Sequence, residues 1–286
     1  MTRIAYVDGR YLPIDAPAVR VEDRGYQFSD AVYEVCCMVD GALWDLDGHL
    51  ERLHRSLGAL AIPAPMGEGA LATVFRETAR RNRLSSALIY LQVSRGTGAR
   101  DHAGDWSLMA PVAVVTARRF SLAKADAAAK RGVKTVTHPD DRWARPDIKT
   151  VSLLPNILAK AAARDAGAAE ALLVRDGFIT EGSSTNVWIV ARDGALVTRA
   201  ADRSILRGIT RDAVLPVAGA EGRAVEERPF SVEEAMSAVE VFITSATKFV
   251  TPVVQIDGAP VGDGAPGPIA AALRAAYVAR ARAAAC

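Results

Sequence analysis

Asp-Gly pairs recur along this chain, and four of them read as turns between short apolar runs: Asp8-Gly9, Asp40-Gly41, Asp176-Gly177 and Asp193-Gly194. Asp-Gly suits the centre of a two-residue hairpin loop, where both positions take positive φ. A chain turned in this way in both halves needs antiparallel strands in both halves, which excludes an all-helical bundle. Residues 4–7 run into the first pair and return through 10–12. Residues 32–39 run into the second and return through 42–44. The third and fourth separate three short strands, 170–174, 186–190 and 195–198.

Helical periodicity fills the gaps. Leu50, Leu53, Leu57 and Leu60 share one helical face, with Asp47 as the expected N-cap and Pro63 beyond the end. A second helix is predicted over 68–81, with Leu71, Val74, Phe75 and Thr78 toward the core, followed by strands at 87–94 and 108–117. The polar, Ala/Lys-rich stretch 118–128 reads as a linker. Beyond it come a strand at 133–137 and a helix over 152–166 with Leu154, Ile157, Leu158 and Ala161 at core spacing. A helix opens near Gly208. Another is capped by Ser231 with Glu234 three residues on, a strand covers 241–244, and an Ala-rich helix spans 268–285. The expected organisation is an α+β fold of two domains, 1–120 and 121–286.

Composition narrows the function. Half of the 286 residues are apolar, a quarter are charged, and the net charge is +2, a soluble balance with no basic stripe for nucleic acid. The apolar runs are strand-sized, so no membrane span is expected. Cys36, Cys37 and Cys286 make neither a disulfide framework nor a metal spacing, and a reducing cytoplasm is the simplest compartment. His49, His54, His102 and His138 form no metal motif, and no metal is expected. A Walker loop, a GxGxxG and a GxSxG elbow are all missing from the sequence.

What remains is a lysine, Lys149, with the hydroxyl-rich stretch Thr180-Glu181-Gly182-Ser183-Ser184-Thr185-Asn186 downstream. A site for pyridoxal 5'-phosphate (PLP) needs four things: an amine tether, a partner for the ring nitrogen, a phosphate cradle and a substrate anchor. Lys149 suits the first and Glu181 the second, although taken alone Glu181 reads as an ordinary turn glutamate. Gly208-Ile209-Thr210 at a helix start, Thr244-Ser245-Ala246-Thr247 after a strand, and Arg52 are cradle candidates. In isolation the first two are ordinary caps and Arg52 is a solvated helix arginine. The loop from Ser94 to His102 presents Arg100 and His102, whose donors suit a carboxylate, and Tyr33 belongs to the strand 32–39.

Several separate motifs then align in order. The stretch 22–35 (Glu-Asp-Arg-Gly-Tyr-Gln-Phe-Ser-Asp-Ala-Val-Tyr-Glu-Val), His49-Leu50-Glu51-Arg52-Leu53, Asp147-Ile148-Lys149 and Thr180-Glu181-Gly182 resemble the class IV (fold type IV) aminotransferases over about residues 4–257. The Arg-x-His loop at 100–102 resembles that of the D-amino acid members. The resemblance implies a small N-terminal α/β domain and a larger C-terminal pseudo-barrel domain carrying the PLP lysine, with the cofactor between them, in a homodimer. It implies Lys149 as the Schiff-base lysine and Glu181 as the pyridine partner. Arg52, Ile209, Thr210, Ser245 and Ala246 would hold phosphate, and Tyr33, Arg100 and His102 the substrate carboxylate, the Arg-x-His loop reaching in from the partner subunit. The implied reaction moves an amino group between D-amino acids and 2-oxo acids such as pyruvate or 2-oxoglutarate. Branched-chain L-amino acid or (R)-amine transamination and aminodeoxychorismate lyase chemistry stand as alternatives on the same scaffold; a cofactor-free binding protein is the reading outside enzymes. Ser29 and Ala31 stand where the family commonly has glycine, and Ala246 where it has a hydroxyl.

Overall fold

The computed structural model describes residues 2–16 and 18–284, so Cys286 and the end of the expected 268–285 helix lie outside it. The chain divides into two compact units. One runs to Ser121 and takes in Ile148–Ser152; the other comprises Leu122–Asp147 and Leu153–Ala284. By its contacts Lys149 therefore belongs with the first unit, whereas the sequence reading places it in the second.

The first unit holds β1 (Ile4–Val7), β2 (Arg10–Pro13), α1 (Arg24–Phe28), β3 (Ala31–Val39), β4 (Ala42–Leu43), α2 (Leu46–Ala59), α3 (Glu68–Arg81), β5 (Ala87–Ser94) and β6 (Val112–Arg119). The strands form one antiparallel sheet in the order β2-β1-β6-β5-β3-β4. Asp8 and Gly9, and Asp40 and Gly41, all take positive φ, as the hairpin chemistry demands. Alternate residues of the central strands (Val32, Cys36 and Met38; Ile89, Leu91 and Val93; Ala113, Val115 and Ala117) share a core with Leu50, Leu53 and Leu57 of α2 and Leu71, Val74 and Phe75 of α3. Two local expectations shift. The N-cap of α2 is Asp45, in the left-handed region and without a side-chain cap bond, while Asp47 lies in the first turn, where its charge suits the helix dipole. Leu108 belongs to a short 3-10 turn, Trp106–Leu108, so β6 starts later than its apolar run.

The second unit holds α4 (Leu122–Arg131), β7 (Val133–Pro139), α5 (Leu154–Asp165), β8 (Glu170–Arg175), β9 (Phe178–Gly182), β10 (Asn186–Val190), β11 (Leu196–Thr198), α6 (Ile209–Ala220), β12 (Val225–Glu227), α7 (Val232–Ser237), β13 (Glu240–Ser245), β14 (Phe249–Ile256), β15 (Ala259–Pro260) and α8 (Pro268–Ala283). Its sheet runs β12-β11-β10-β13-β14-β7-β8-β9, with β15 against β14. β9 ends that path, yet only residues 183–185 separate it from β10 near the other end, and Gly182 N–H donates to Thr185 O at 2.7 Å. The sheet must curl back on itself to allow this. That curl accords with the pseudo-barrel that the resemblance implies.

The expected linker at 118–128 is instead the end of β6 and most of α4. Ala and Lys favour helix once an anchor exists, and Asp126 pairs with the buried Arg274 of α8 at 2.8 Å. The helix α5 also turns a different face inward. It packs on β7 and β8 through the small Ala159 and Ala163, and leaves Leu154, Ile157 and Leu158 66 %, 59 % and 57 % exposed. The Asp193-Gly194 turn differs from the other three: only Gly194 takes positive φ, and Ala191 N–H bonds Ala195 O across a three-residue loop.

One long-range cap bears on stability. The N-cap of α8 is Gly267, which has no side chain to offer, and the buried Glu240 carboxylate accepts from Ile269 N–H and Ala270 N–H, both at 2.9 Å. A Cβ on Gly267 would stand 2.0 Å from the Glu240 carboxyl carbon. Glu240→Ala should therefore cost about 1–3 kcal/mol in urea unfolding, since two orphaned helix donors lose an ionised acceptor. Gly267→Ala should also lower the midpoint, by displacing the same carboxylate.

Candidate active site

In β3 the apolar alternation that faces α2 is broken at one position, Glu34. A carboxylate there must be met by donors. The helix supplies them: Arg52 donates through Nε to Oε1 at 2.7 Å and through Nη2 to Oε2 at 2.8 Å, and His49 Nδ1 lies 2.8 Å from Oε2. Burial opposes the charge on Glu34, but Arg52 and His49 outweigh it and hold the carboxyl far below the usual range. Arg52 is thus a buried, oriented cation rather than a solvated helix arginine, the bland alternative to a phosphate ligand.

Lys149 lies on a short segment alongside β3, bridged to it between Thr150 and Val32. Tyr33 N–H donates to Lys149 O at 3.0 Å, Val151 N–H donates to Ala31 O at 3.1 Å, and Lys149 N–H reaches Ser56 Oγ at 3.4 Å. Thr150 N–H bonds back to Ile148 O at 2.8 Å, a tight turn centred on Lys149, and Ile148 enters the core with α2. The Lys149 ammonium stands 4.2 Å from the centroid of the Tyr33 ring, and that ring packs on Tyr90 at 5.7 Å. Burial and the adjacent Tyr33 push the Tyr90 hydroxyl up to about 12. The structure brings Lys149 and Tyr33 together.

Arg100 and His102 are exposed and flank Phe28, at 5.2 Å and 5.4 Å from its ring centroid. Their loop is tied down from beneath. Arg24 is buried, pairs with Asp30 at 2.9 Å and donates to Asp101 O at 2.6 Å. Arg95 holds the same Asp30 and donates to Leu60 O at 2.7 Å. Ser29, at a position the family commonly gives to glycine, takes φ +59°, the left-handed conformation that explains the glycine preference.

In the second unit Glu181 is not a turn residue: it lies in β9, buried. Its Oε1 accepts from Leu206 N–H at 3.1 Å and from Arg142 Nη1; its Oε2 accepts from Asn186 Nδ2 at 3.1 Å. Burial is the largest influence and lifts the carboxyl above the ordinary range, with Arg142 and the Leu206 N–H pulling against it. Asn186 also donates to Leu206 O at 2.9 Å, which seats the loop before α6. The N-cap of α6, Gly208, passes so close that a Cβ would meet Asn186 Oδ1 at 1.9 Å. No side chain caps α6, so the N–H groups of Ile209 and the buried Thr210 begin a helix that suits an anion. At the end of β13, Ser245 Oγ accepts from Lys248 N–H at 3.2 Å and lies 3.4 Å from Thr247 Oγ1, with Ala246 between them half-buried. Sequence reasoning passes over Glu34, Arg142 and Asn186. The break in the β3 alternation is a usable signal for Glu34; nothing local marks the other two.

A model of the amino-transferase class IV family matches residues 31–256. The chain is 41 % identical over 262 residues to the D-alanine aminotransferase of Bacillus licheniformis, covering 92 % of this chain and 91 % of the relative. In fold it is similar to the Escherichia coli branched-chain amino acid aminotransferase (TM-score 0.89, 25 % identity, 98 % and 95 % of the two chains). It is also similar to the T.th. branched-chain amino acid aminotransferase with pyridoxamine 5'-phosphate (TM-score 0.86, 27 % identity, 97 % and 93 %). The architecture is that of a fold type IV enzyme. The chain belongs to the class IV aminotransferase family. Among the described residues no group of side chains could hold a metal ion, and no helix is long and apolar enough to cross a membrane.

Replacing Glu34 with glutamine should cost about 3–5 kcal/mol in chemical unfolding, because Arg52 would be left buried without its counter-charge. Since the Glu34 carboxyl is depressed in the fold, its contribution is fully present above the ordinary carboxylate range and fades as pH falls below it. Wild type should therefore lose stability on acidification more steeply than Glu34→Gln.

Proposed function

We propose that this chain is a PLP-dependent transaminase that moves an amino group between D-amino acids and 2-oxo acids such as pyruvate and 2-oxoglutarate. The observation that carries the cofactor assignment is the donor set around Glu181. A buried carboxylate already holding a guanidinium, an amide and a backbone N–H is an acceptor, the form required opposite a protonated ring nitrogen. The preference for D-amino acids is supported by family membership and by the likeness to a D-alanine aminotransferase over nine tenths of both chains. Branched-chain L-amino acid transamination is the second reading, supported by fold likeness at lower identity.

PLP, when bound, supplies an electron sink for the pair left at the substrate α-carbon. Lys149 is the tether, and its Nζ takes and returns the α-proton. The Tyr33 ring beside that amine limits where it can swing. Glu181 would accept from the ring nitrogen. Arg52 and the N–H groups of Ile209 and Thr210 counter the phosphate charge, with Ser245 adding a hydroxyl and Ala246 its backbone N–H. Arg100 holds the substrate carboxylate with a donor-only fork, and the Tyr33 hydroxyl and a His102 ring N–H add one donor each. We further propose a homodimer, to which the exposed Leu154, Ile157 and Leu158 on α5 and Tyr26 and Leu108 in the first unit lend support. A cytoplasmic location accords with the two buried free cysteines, Cys36 and Cys37.

Adding D-alanine to the holoenzyme should bleach the visible absorbance of the bound cofactor; bleaching by L-alanine alone would sink the D-specific reading. Lys149→Ala should abolish turnover yet still retain some PLP non-covalently. Arg100→Ala should weaken D-amino acid binding by roughly 2–3 kcal/mol, read as a raised KM, if its ion pair with the substrate is desolvated. Unchanged kinetics would remove Arg100 from the carboxylate site.

A further inference from the structure

Arg142 lies in the stretch after β7, outside every motif singled out in the sequence, and its side chain is almost fully buried. Its guanidinium serves two carboxylates at once. Nε and Nη2 clamp Asp140 at 2.8 and 2.9 Å, Nη2 also reaches Ser204 O at 3.4 Å, and Nη1 is aimed at Glu181 Oε1. The Asp140 carboxylate is itself buried and immobilised, accepting from Thr180 Oγ1 at 2.8 Å, while Arg175 of β8 stands 3.3 Å away at the exposed edge. The bidentate clamp by Asp140 fixes the plane of the guanidinium, so that one N–H points at Glu181 and cannot swing away.

The lone pairs of Glu181 can then be counted. An ionised carboxylate has about four acceptor directions. Arg142 and Leu206 N–H use both on Oε1, and Asn186 uses one on Oε2. One direction on Oε2 is left. Asp140 and Glu181 share one deeply buried guanidinium, and the second cation, Arg175, meets Asp140 at the exposed edge. A single cationic N–H matches the remaining direction.

We infer that Arg142 is a positioning residue for the transamination: it keeps Glu181 ionised and turned so that its one remaining acceptor direction meets the protonated ring nitrogen of PLP. This rests on the reading of Glu181 as the ring-nitrogen partner. It deepens that reading by naming the group that sets the charge of Glu181 and the group, Asp140, that aims it. Burial drives Glu181 toward its neutral form, and neutral Glu181 would present a proton where an acceptor is needed. Arg142 opposes that drive, while the charge of Asp140 adds to it. The two neighbours therefore act on Glu181 with opposite signs.

The test uses that opposition. Holoenzyme and PLP-reconstituted apoenzyme of wild type, Arg142→Met, Asp140→Asn and Glu181→Gln are compared for the pH dependence of the PLP Kd and of the half-reaction with D-alanine. In Arg142→Met the acidic limb of both should move to higher pH by about one unit. In Asp140→Asn it should move the other way, because a negative charge facing Glu181 is gone. A merely structural role would move neither limb, or both in one direction, and that result overturns the inference. If Arg142→Met does not fold, Asp140→Asn decides: a limb at lower pH supports the inference, and an unmoved or raised limb overturns it. Glu181→Gln separates the two layers. If it leaves Kd and rate as in wild type, the ring-nitrogen reading itself fails. If it impairs both while the Arg142 and Asp140 variants keep wild-type profiles, only the role of Arg142 falls.

Discussion

Three residues, 183–185, join the last strand of the second sheet to one near its other end, and much of the second unit's chemistry follows from that short connection. With Gly182 N–H bonded to Thr185 O, β9 and β10 must end side by side, and the sheet between them has to curl. Glu181 and Asn186, at the two strand ends, are thereby brought within hydrogen-bonding distance. Asn186 in turn seats the loop before α6, so the start of that helix is registered to the same carboxylate. The connection tolerates no bulk: a Cβ on Gly182 would meet Thr185 Oγ1 at 2.1 Å. A longer loop would leave strand ends free to drift, and a site that depends on Ångström-scale placement would lose it.

Buried carboxylates organise both units. Each demands donors in a fixed geometry. Glu34 draws Arg52 and His49 of α2 onto β3. The half-buried Asp30, between α1 and β3, draws Arg24 and Arg95 together beneath the Arg100 loop. Glu170 of β8 takes Ser184 at 3.0 Å and Lys160 of α5 at 3.1 Å. Apolar packing can slide at small cost, whereas a charged hydrogen bond out of register strands an ion in low dielectric. These pairs add little net stability over an apolar core, but they restrict the arrangement to one, which a catalytic site requires.

Legibility follows the range of the governing interaction. The helix 68–81 and the strand 87–94 are readable to the residue, because periodic apolar faces and flanking turns are local. The stretch 118–128 reads wrongly as a linker because its helix depends on Asp126 finding Arg274, over a hundred residues away. The inward face of α5 is hidden because spacing marks large apolar residues, while close approach to β7 and β8 selects the small Ala159 and Ala163. The strand β14 escapes the sequence reading, its apolar run interrupted by Pro252; in the fold the parallel ladder with β7 begins only at Val253, one residue past the proline. Asp257-Gly258 is a further hairpin turn with both φ positive, lying between β14 and β15.

The sequence by itself determined the hairpins, the periodic helices and the residue types of the proposed site: an amine at Lys149, a carboxylate at Glu181, a basic loop at Arg100 and His102. These are properties of short segments, and their backbone preferences and chemistry do not wait on distant partners. Only the tertiary structure decided how each group is held. It buried Arg52 against Glu34, set Lys149 over Tyr33, and placed Arg142 between Asp140 and Glu181. The state of a buried ion is set by the few charges and dipoles that folding brings within hydrogen-bonding reach, and no spacing along the chain encodes which those will be.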